Sequence, residues 1–221
     1  MASLTLGYRV VVGIGAPIMR WARMRVTGLD CLPPDGPVIL VADHDSYWDP
    51  VAIAVAAAPV RQISALAKST LWRYGFSAKI MDSMGQIPIV RGESNAAAMQ
   101  LAVERLRDGA CIGVFPEGTR SLGRELRARA GVGRLAEAVP SAVVVCVRTS
   151  GSVDVVRFPR RPRIGVDFYR PSGGGLQPGE TPSAFADRLL AELRAGAPRE
   201  IPGRRRTAAK YRAALDAAVR D

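Results

Sequence analysis

The sequence has few of the residues that build metal sites and disulfide frameworks. It contains one histidine and three cysteines in 221 residues. The cysteines, Cys31, Cys111 and Cys146, lie far apart without a CxxC spacing, so they indicate neither a zinc site nor a set of disulfides. Cys111 and Cys146 lie in apolar runs and are typical of small buried hydrophobes. We therefore expect a reducing, cytoplasmic setting.

Long apolar runs are also absent, since no segment reaches the roughly 18 to 20 apolar residues that a spanning helix requires. The apolar stretch 10–19 is flanked by Arg9 and Arg20, with Tyr8 and Trp21 near its ends. It lacks a small-residue cleavage site, so we do not expect a signal peptide. Arginines and aromatics around an apolar body predict a membrane-surface helix over residues 1–24. The alternative is a terminal helix packed on the core.

Acidic and aromatic residues are both scarce. Lys and Arg total 31 against 20 Asp and Glu, which gives a net charge of +11 and a pI near 10.5. This balance indicates an anionic partner: nucleic acid, an anionic membrane surface or a phosphorylated substrate. Aromatics are 6% of the chain, and no recognised nucleic-acid-binding motif is present. We therefore expect an anionic membrane surface and no nucleic acid.

The apolar pattern predicts one α/β domain over residues 25–221. Short apolar runs of strand length alternate with helical patterns, and residues 38–42 are apolar throughout, which is typical of a strand buried on both faces. Such alternation predicts a layered fold with a mixed, mostly parallel sheet flanked by helices. A basic helical tail follows over residues 204–220. The predicted strands are 24–29, 38–42, 62–67, 86–90, 110–115, 142–147 and 162–169.

The single histidine, His44, directly follows the predicted buried strand 38–42. Imidazole accepts a proton near neutral pH most readily when a carboxylate fixes its tautomer. Asp49 is five residues downstream, a spacing that suits a loop leading into a helix, and Asp45 is the competing partner. A purely structural alternative is also open, because Asp49 before Pro50 resembles a helix N-cap.

A second pattern runs from Gly85 through a short apolar strand to Arg91. Arginine at a strand end can bind a phosphate with two parallel hydrogen bonds. The alternative is a solvated arginine before the next helix.

A third pattern, Phe-Pro-Glu-Gly-Thr-Arg-Ser, occupies residues 115–121 after another predicted buried strand. Proline and glycine predict a tight turn whose backbone N–H groups can face a ligand. Thr119 and Arg120 add a hydroxyl and a cation suited to phosphate, while Glu117 can orient the substrate or hold an arginine. The alternative is a polar surface turn. The carboxyl ends of parallel strands gather sites, so we expect this loop and the His44 loop to meet.

The three patterns, in this order and rough separation, resemble the 1-acyl-sn-glycerol-3-phosphate acyltransferases over roughly residues 25–150. The resemblance implies that His44, held by Asp49, deprotonates a glycerol hydroxyl as it attacks the thioester of acyl-CoA or acyl-carrier protein. It further implies a lysophosphatidate-type acceptor whose phosphate is bound by the remaining site residues. These residues are Lys68, Arg91, Glu117, Gly118, Thr119 and Arg120.

The resemblance implies no metal and no cofactor beyond the acyl donor, and a peripheral protein of phospholipid biosynthesis on the cytoplasmic face of a bacterial cell membrane. Glycerol 3-phosphate or another polar lipid is the alternative acceptor. A non-catalytic lipid-binding relative and a nucleic-acid-binding module are the alternatives outside this class. Two departures from the family pattern stand out. Asp43 replaces a frequent asparagine, and Pro140 lies ahead of the apolar strand that normally contains it.

Overall fold

The structure is a computed structural model that describes residues 4–90 and 95–219. Within these residues the chain forms one seven-stranded sheet with helices on both faces. The strands are β1 (Arg25–Thr27), β2 (Val38–Ala42), β3 (Ser64–Lys68), β4 (Ile87–Ile89), β5 (Cys111–Val114), β6 (Val143–Ser150) and β7 (Gly165–Tyr169). The α-helices are α1 (Leu6–Trp21), α2 (Asp49–Ala57), α3 (Gly75–Ser83), α4 (Ala96–Arg107), α5 (Gly131–Ala138), α6 (Pro182–Gly196) and α7 (Arg205–Ala218). Short 3-10 helices occur at Leu29–Cys31, Ser69–Trp72 and Ser152–Val156.

The sheet is mixed and mostly parallel, which confirms the expected fold class. Its strand order is β1-β7-β6-β2-β5-β3-β4. All neighbouring pairs are parallel except β6 and β7, which are antiparallel. The carboxyl ends of β2, β3, β4, β5 and β6 therefore lie along one edge, and β1 and β7 begin there. We call this the catalytic edge.

The central strand β2 joins the two halves of the core. All five of its residues are buried, as the continuous apolar run predicts. Because successive side chains of a strand point to opposite faces, Leu40 packs in a cluster with Met19 of α1 and Ile53 of α2. Ile39 packs on the other face, in a cluster that includes Leu189 of α6. The loops at the catalytic edge therefore extend from a sheet that is packed against helices on both faces.

Helix α1 is packed on the domain and also presents an apolar outer face. Tyr8 is fully buried and its hydroxyl donates to the Ala54 carbonyl at 3.2 Å, so the expectation that Tyr8 lies at a lipid interface is wrong. Leu6 and Ile14 are 75% and 66% exposed, and Trp21 is 42% exposed. Among the described residues, no helix combines the length and apolar character that a membrane crossing requires.

The predicted strand 38–42 has the observed bounds, and the other predicted strands differ from the observed ones by one to three residues at an end. The sequence also predicts a helix over residues 93–106; its first two residues lie outside the described range, and α4 begins at Ala96 in the structure. The predicted strand 162–169 shortens to β7, because residues 157–163 form an irregular loop. These differences between predicted and observed bounds do not change the order of strands and helices.

Candidate active site

The two predicted site loops meet at the catalytic edge. The His44 loop follows β2 and the 115–121 loop follows β5, and these strands are neighbours in the sheet. The Ser121 amide donates to the His44 carbonyl at 2.8 Å, which ties the loops together directly. The expectation that the two patterns form one site is therefore matched by the topology.

His44 and Asp49 form a close pair. His44 Nδ1 lies 3.0 Å from Asp49 Oδ2; the histidine side chain is 13% exposed and the aspartate is fully buried. A carboxylate only accepts hydrogen bonds, so Nδ1 carries the proton in this pair and the lone pair of the neutral ring is on Nε2. The His44 ring also packs on Phe115, with ring centroids 4.4 Å apart. This geometry suits a general base.

Asp49 is held by several donors besides His44. Its Oδ2 accepts from the amides of Asp45 at 2.8 Å and Ser46 at 2.7 Å. Its Oδ1 accepts from the Ser152 hydroxyl, in the 3-10 helix that follows β6. The structural alternative, in which Asp49 is the N-cap of α2, is wrong in its detail, because Asp49 is the first residue of α2 and its side chain bonds to the Asp45 and Ser46 amides, which precede it. These contacts fix the carboxylate that orients His44.

Asp45, the competing partner for His44, is engaged elsewhere. Ser121 Oγ donates to Asp45 Oδ1, and the Glu200 amide donates to Asp45 Oδ2 at 3.0 Å. Arg194 Nη1 lies 2.9 Å from Asp45 Oδ2. In the structure Asp49, and not Asp45, pairs with the histidine.

Asp43 is a buried carboxyl group behind the histidine. It accepts from the Thr149 amide at 2.8 Å and lies close to the Thr149 hydroxyl, at 3.1 Å. Burial, and after it the nearby Asp49 charge, raises the pKa of Asp43 to about 8. At neutral pH the protonated form is therefore favoured, which limits the negative charge accumulated around His44.

Arg194 of α6 neutralises the remaining carboxylates. Its side chain is 5% exposed, and Nη2 lies 2.5 Å from Glu117 Oε2. Nη1 is 2.9 Å from Asp45 Oδ2 and 3.8 Å from Asp43 Oδ2. An unpaired charge in the protein interior is strongly destabilising. The Arg194 guanidinium therefore stabilises the folded protein by offsetting the negative charge of these buried acidic side chains.

Glu117 lies inside this cluster. It is 3% exposed, its Oε1 accepts from Arg194 Nε at 3.2 Å, and its Oε2 also accepts from the His44 amide at 3.2 Å. Both oxygens are occupied within the protein. Of the two roles open from the sequence, the geometry matches the one in which Glu117 holds an arginine.

The rest of the 115–121 loop forms the expected tight turn. The Gly118 amide donates to the Phe115 carbonyl at 2.9 Å, and Gly118 has a φ of +66°. A β-carbon at this position would lie 2.4 Å from Arg129 Nε, so both conformation and space favour glycine. Thr119 follows in the turn and is half-buried.

Arg120 lies at the surface end of the turn. Its guanidinium carbon is 3.7 Å from the centroid of the Tyr47 ring, and Tyr47 is 74% exposed. This stacking leaves the edges of a planar cation available to a bound anion. Lys68 ends β3 at the same edge and is exposed, while Arg91 lies outside the described residues.

A small apolar cavity of about 60 Å³ lies under α1, beside the histidine loop. Phe115, which packs on His44, is part of its wall, and Tyr8 of α1 and Met84 after α3 line it as well. Phe115 thus contacts both this apolar cavity and the base.

Sequence reasoning missed Ser152, Thr149 and Arg194, which lie far along the chain from the loops they contact. No local motif marks them. Arg194 alone carries a weak signal, since it falls on the apolar side of a helix whose buried residues include Leu190 and Leu193. Within the described part of the chain, no group of three or more His, Cys, Asp or Glu side chains could hold a metal ion.

A carboxylate-held histidine at the carboxyl edge of an α/β sheet, beside a Pro-Glu-Gly-Thr-Arg turn, is the arrangement expected of a lipid acyltransferase. The family model described as Acyltransferase matches residues 23–150. The chain belongs to this acyltransferase family, which confirms the resemblance drawn from its motifs.

Curated relatives carry a more specific name. The chain is 37% identical over 105 residues to a 1-acyl-sn-glycerol-3-phosphate acyltransferase of Borreliella burgdorferi, covering 46% of this chain and 41% of the relative. It is 24% identical over 98 residues to the Bacillus subtilis protein of the same name, covering 44% of this chain and 49% of that one. The matched region thus spans less than half of each relative.

A solved structure shows the same fold. The crystal structure of the 1-acyl-sn-glycerophosphate (LPA) acyltransferase PlsC from Thermotoga maritima superposes with a TM-score of 0.65 at 20% identity. The match covers 86% of this chain and 78% of that chain. It extends the shared fold well beyond the segment matched by the family model.

Proposed function

We propose that the protein transfers a fatty acyl group from a thioester to the hydroxyl of 1-acyl-sn-glycerol 3-phosphate, forming phosphatidate. The observation that carries this proposal is the His44–Asp49 pair, with Nδ1 and Oδ2 3.0 Å apart at the catalytic edge. The names of the curated relatives support the acceptor. The donor is acyl-CoA or acyl-carrier protein, and phospholipid biosynthesis is the setting.

The proposed reaction is a direct transfer. His44 Nε2 takes the proton of the acceptor hydroxyl as its oxygen attacks the thioester carbonyl. The new C–O bond forms, the C–S bond breaks, and the imidazolium returns its proton to the departing thiolate. Asp49 stabilises the imidazolium and holds the ring, as the carboxylate does in a Ser-His-Asp triad. No side chain of the protein becomes acylated in this scheme.

The acceptor phosphate is proposed to bind beside the Gly118 turn. Arg120 is the leading candidate because its guanidinium is stacked on Tyr47 and stays at the surface. Lys68 ends a nearby strand at the same edge, and Thr119 adds a hydroxyl. Arg91 remains a candidate from its place in the sequence. Glu117 contributes to this binding indirectly, by fixing the loop through Arg194.

The first few carbons of the acyl chain are proposed to enter the apolar cavity under α1, whose volume of about 60 Å³ is too small for a whole fatty chain. Phe115 lines this cavity and contacts the His44 ring, so a thioester carbonyl near the base would direct its hydrocarbon towards Tyr8 and Met84. Burial of each methylene group from water contributes about 0.8 kcal/mol, which favours an apolar path over a solvated one.

The protein is proposed to act as a peripheral protein on the cytoplasmic face of the cell membrane. The outer face of α1 exposes Leu6, Ile14 and Trp21, and Arg9 and Arg20 are exposed beside them. An apolar stripe with flanking cations suits a helix lying in the interface of an anionic bilayer. A lysophosphatidate-type acceptor partitions into a bilayer through its acyl chain, which favours such a location.

The test is product identification by mass spectrometry from purified protein. Acyl-CoA and acyl-carrier protein are supplied as alternative donors, with lysophosphatidate and glycerol 3-phosphate as alternative acceptors. The expected product is phosphatidate, and His44→Ala should abolish it while the circular dichroism spectrum stays unchanged. Activity retained by His44→Ala, or exclusive use of glycerol 3-phosphate, contradicts the proposal.

A further inference from the structure

Six arginines line an open groove of about 1120 Å³ that the acyl-transfer scheme does not use. The groove lies between residues 157–160, which precede β7, and residues 204–212, where α7 begins. We call it the arginine groove. Its arginines are Arg157, Arg160, Arg204, Arg205, Arg206 and Arg212.

The arginine groove lies on the catalytic edge. Strand β6 runs parallel to β2 and ends at that edge, and β7 starts there because it is antiparallel to β6. The connecting segment 151–164 therefore stays beside the active site, where Ser152 donates to Asp49. The segment that leads into α7 is tied to the same site, since the Glu200 amide donates to Asp45 at 3.0 Å.

The two walls of the groove are fixed to each other. Arg157 Nε donates to the Gly203 carbonyl at 3.0 Å, and its Nη2 donates to the Ile201 carbonyl. Its Nη1 pairs with Asp154 at 3.2 Å. Arg157 thus serves as a structural link, and the groove is a built feature of the fold.

Most of the positive charge in the groove is uncompensated. Arg160 is 68% exposed and shares Asp154 with Arg157. Arg204, Arg205 and Arg206 are exposed, and in the described part of the chain none of them has an acidic side chain within ion-pair distance. A surface of this kind attracts an anion.

Apolar side chains project beside these arginines. Phe158 is 76% exposed and Val156 is 43% exposed. Arg161 Nε donates to the Trp21 carbonyl at 3.0 Å, so the same loop adjoins the end of α1 and its half-exposed indole. Aromatic and aliphatic groups next to cations match the interface of a bilayer, where rings lie among headgroups and arginines meet phosphates. Phe158 alone could also stack on a base, but the exposed aliphatic Val156 beside it favours a lipid surface over a free nucleotide or a nucleic acid.

We infer that the arginine groove binds the phosphates of anionic lipids, with Phe158 entering the headgroup layer. The groove and α1 then hold the catalytic edge against the membrane, so that His44 faces the lipid from which its acceptor comes. This inference rests on the proposed lipid substrate and assigns the surface that positions the enzyme for it.

The test compares binding of the whole 221-residue chain to phosphatidylcholine vesicles with and without phosphatidylglycerol. Arginines near an anionic surface act additively, so R204Q/R205Q/R206Q should weaken partition to phosphatidylglycerol vesicles on the order of 100-fold. Partition to pure phosphatidylcholine should change little. Phe158→Ser should weaken binding to both vesicle types, because it removes an apolar contact and no charge.

The matched control is R107Q/R134Q/R170Q, which removes the same charge from arginines outside the groove. It should reduce vesicle binding far less, and equal losses in the two triple variants would overturn the inference by showing a net-charge effect only. Activity on a short-chain, monomeric lysophosphatidate should be unchanged in R204Q/R205Q/R206Q. The His44→Ala variant should bind vesicles normally but have no activity. A loss of membrane binding can therefore be distinguished from a loss of catalysis.

Two other outcomes would overturn the inference. Intact vesicle binding in R204Q/R205Q/R206Q together with a raised KM for acyl-CoA would assign the groove to the phosphates of the donor. The other outcome is that the parent binds DNA in a salt-sensitive way and that R204Q/R205Q/R206Q loses this binding but still binds vesicles. That result would assign the groove to nucleic acid.

Discussion

Arg194 on α6 places its Nη2 atom 2.5 Å from Glu117 Oε2, and both side chains are almost completely buried. Glu117 also accepts from the His44 amide, and the same guanidinium contacts Asp45. A helix outside every recognised motif therefore positions the two loops that carry the chemistry. Arg194 acts through other residues and is a positioning residue.

Replacing Arg194 should test this role through both stability and rate. Arg194→Gln leaves buried carboxylates unpaired, so the free energy of unfolding should fall by about 3 to 5 kcal/mol. Arg194→Lys keeps the positive charge but loses the planar guanidinium, which bonds two carboxylates at once. Its stability and kcat should therefore lie between those of Arg194→Gln and the parent. Urea unfolding and steady-state kinetics measure these effects.

The control for Arg194 is another arginine of the same helix. Arg188 pairs with Glu180 at 2.8 Å, nearer the surface. Arg188→Gln breaks one partly exposed pair and not a buried cluster, so it should cost clearly less stability than Arg194→Gln and leave kcat unchanged. Equal effects at Arg188 and Arg194 would contradict the positioning role.

Ser152 is expected to influence His44 indirectly, by donating a hydrogen bond to Asp49. Ser152→Ala removes one donor to Asp49 Oδ1 while the Asp45 and Ser46 amides and His44 still hold Oδ2. We expect kcat to fall less than it does in Asp49→Ala, and Ser152→Thr, which keeps the hydroxyl, to restore part of it. A pH–rate profile checks this, since a purely structural effect would lower kcat without moving the profile. An Ala variant with parental kcat and profile would show that this contact has no catalytic consequence.

Asp43 predicts a pH dependence of stability. Its folded-state pKa of about 8 lies above the unfolded value, so the folded protein binds a proton that the unfolded chain has released. The contribution is therefore favourable below the unfolded pKa of about 3.9 and is lost as the pH rises to about 8. Asp43→Asn removes the titration, and its amide can still pair with both groups of Thr149.

The measurement is the free energy of unfolding of both proteins at about pH 5 and about pH 9, on either side of the folded pKa. The stability of Asp43→Asn relative to the parent should increase with pH. A difference that is constant across this range would show that Asp43 does not titrate there.

Arg120 should act on one substrate only. If it binds the acceptor phosphate, Arg120→Ala raises the KM for lysophosphatidate more than the KM for the thioester, and Arg91→Ala should do the same. Arg134→Ala, at an exposed arginine of α5, is the control and should leave both constants unchanged. Equal increases for the two substrates would contradict the assignment of Arg120.

The sequence predicted the parts of the site that depend on neighbouring residues. Continuous apolar runs marked the central strands, and the five-residue spacing of His44 and Asp49 at a loop–helix junction predicted their pairing. The turn at Gly118 followed from its residue types. In each case the signal lies within a few positions of the chain.

Contacts across long separations could not be predicted in this way. Ser152 reaches Asp49 only because β6 lies next to β2, and Arg194 reaches Glu117 only because α6 packs against α5. Helical periodicity places Arg194 near a buried face but does not say which loop it meets. The membrane role expected for Tyr8 failed for a related reason, since its apolar ring and hydroxyl find partners inside the domain.

The partners of Arg194 have a consequence for how this enzyme can be divided. The segment that matches the family model ends at residue 150, yet the guanidinium that neutralises its interior acids lies in the remaining quarter to third of the polypeptide. A fragment cut at that boundary would keep every signature residue and lose their counter-ion. The part of the chain that carries the family's motifs therefore depends on the remainder, which supplies the cation that neutralises its buried acids.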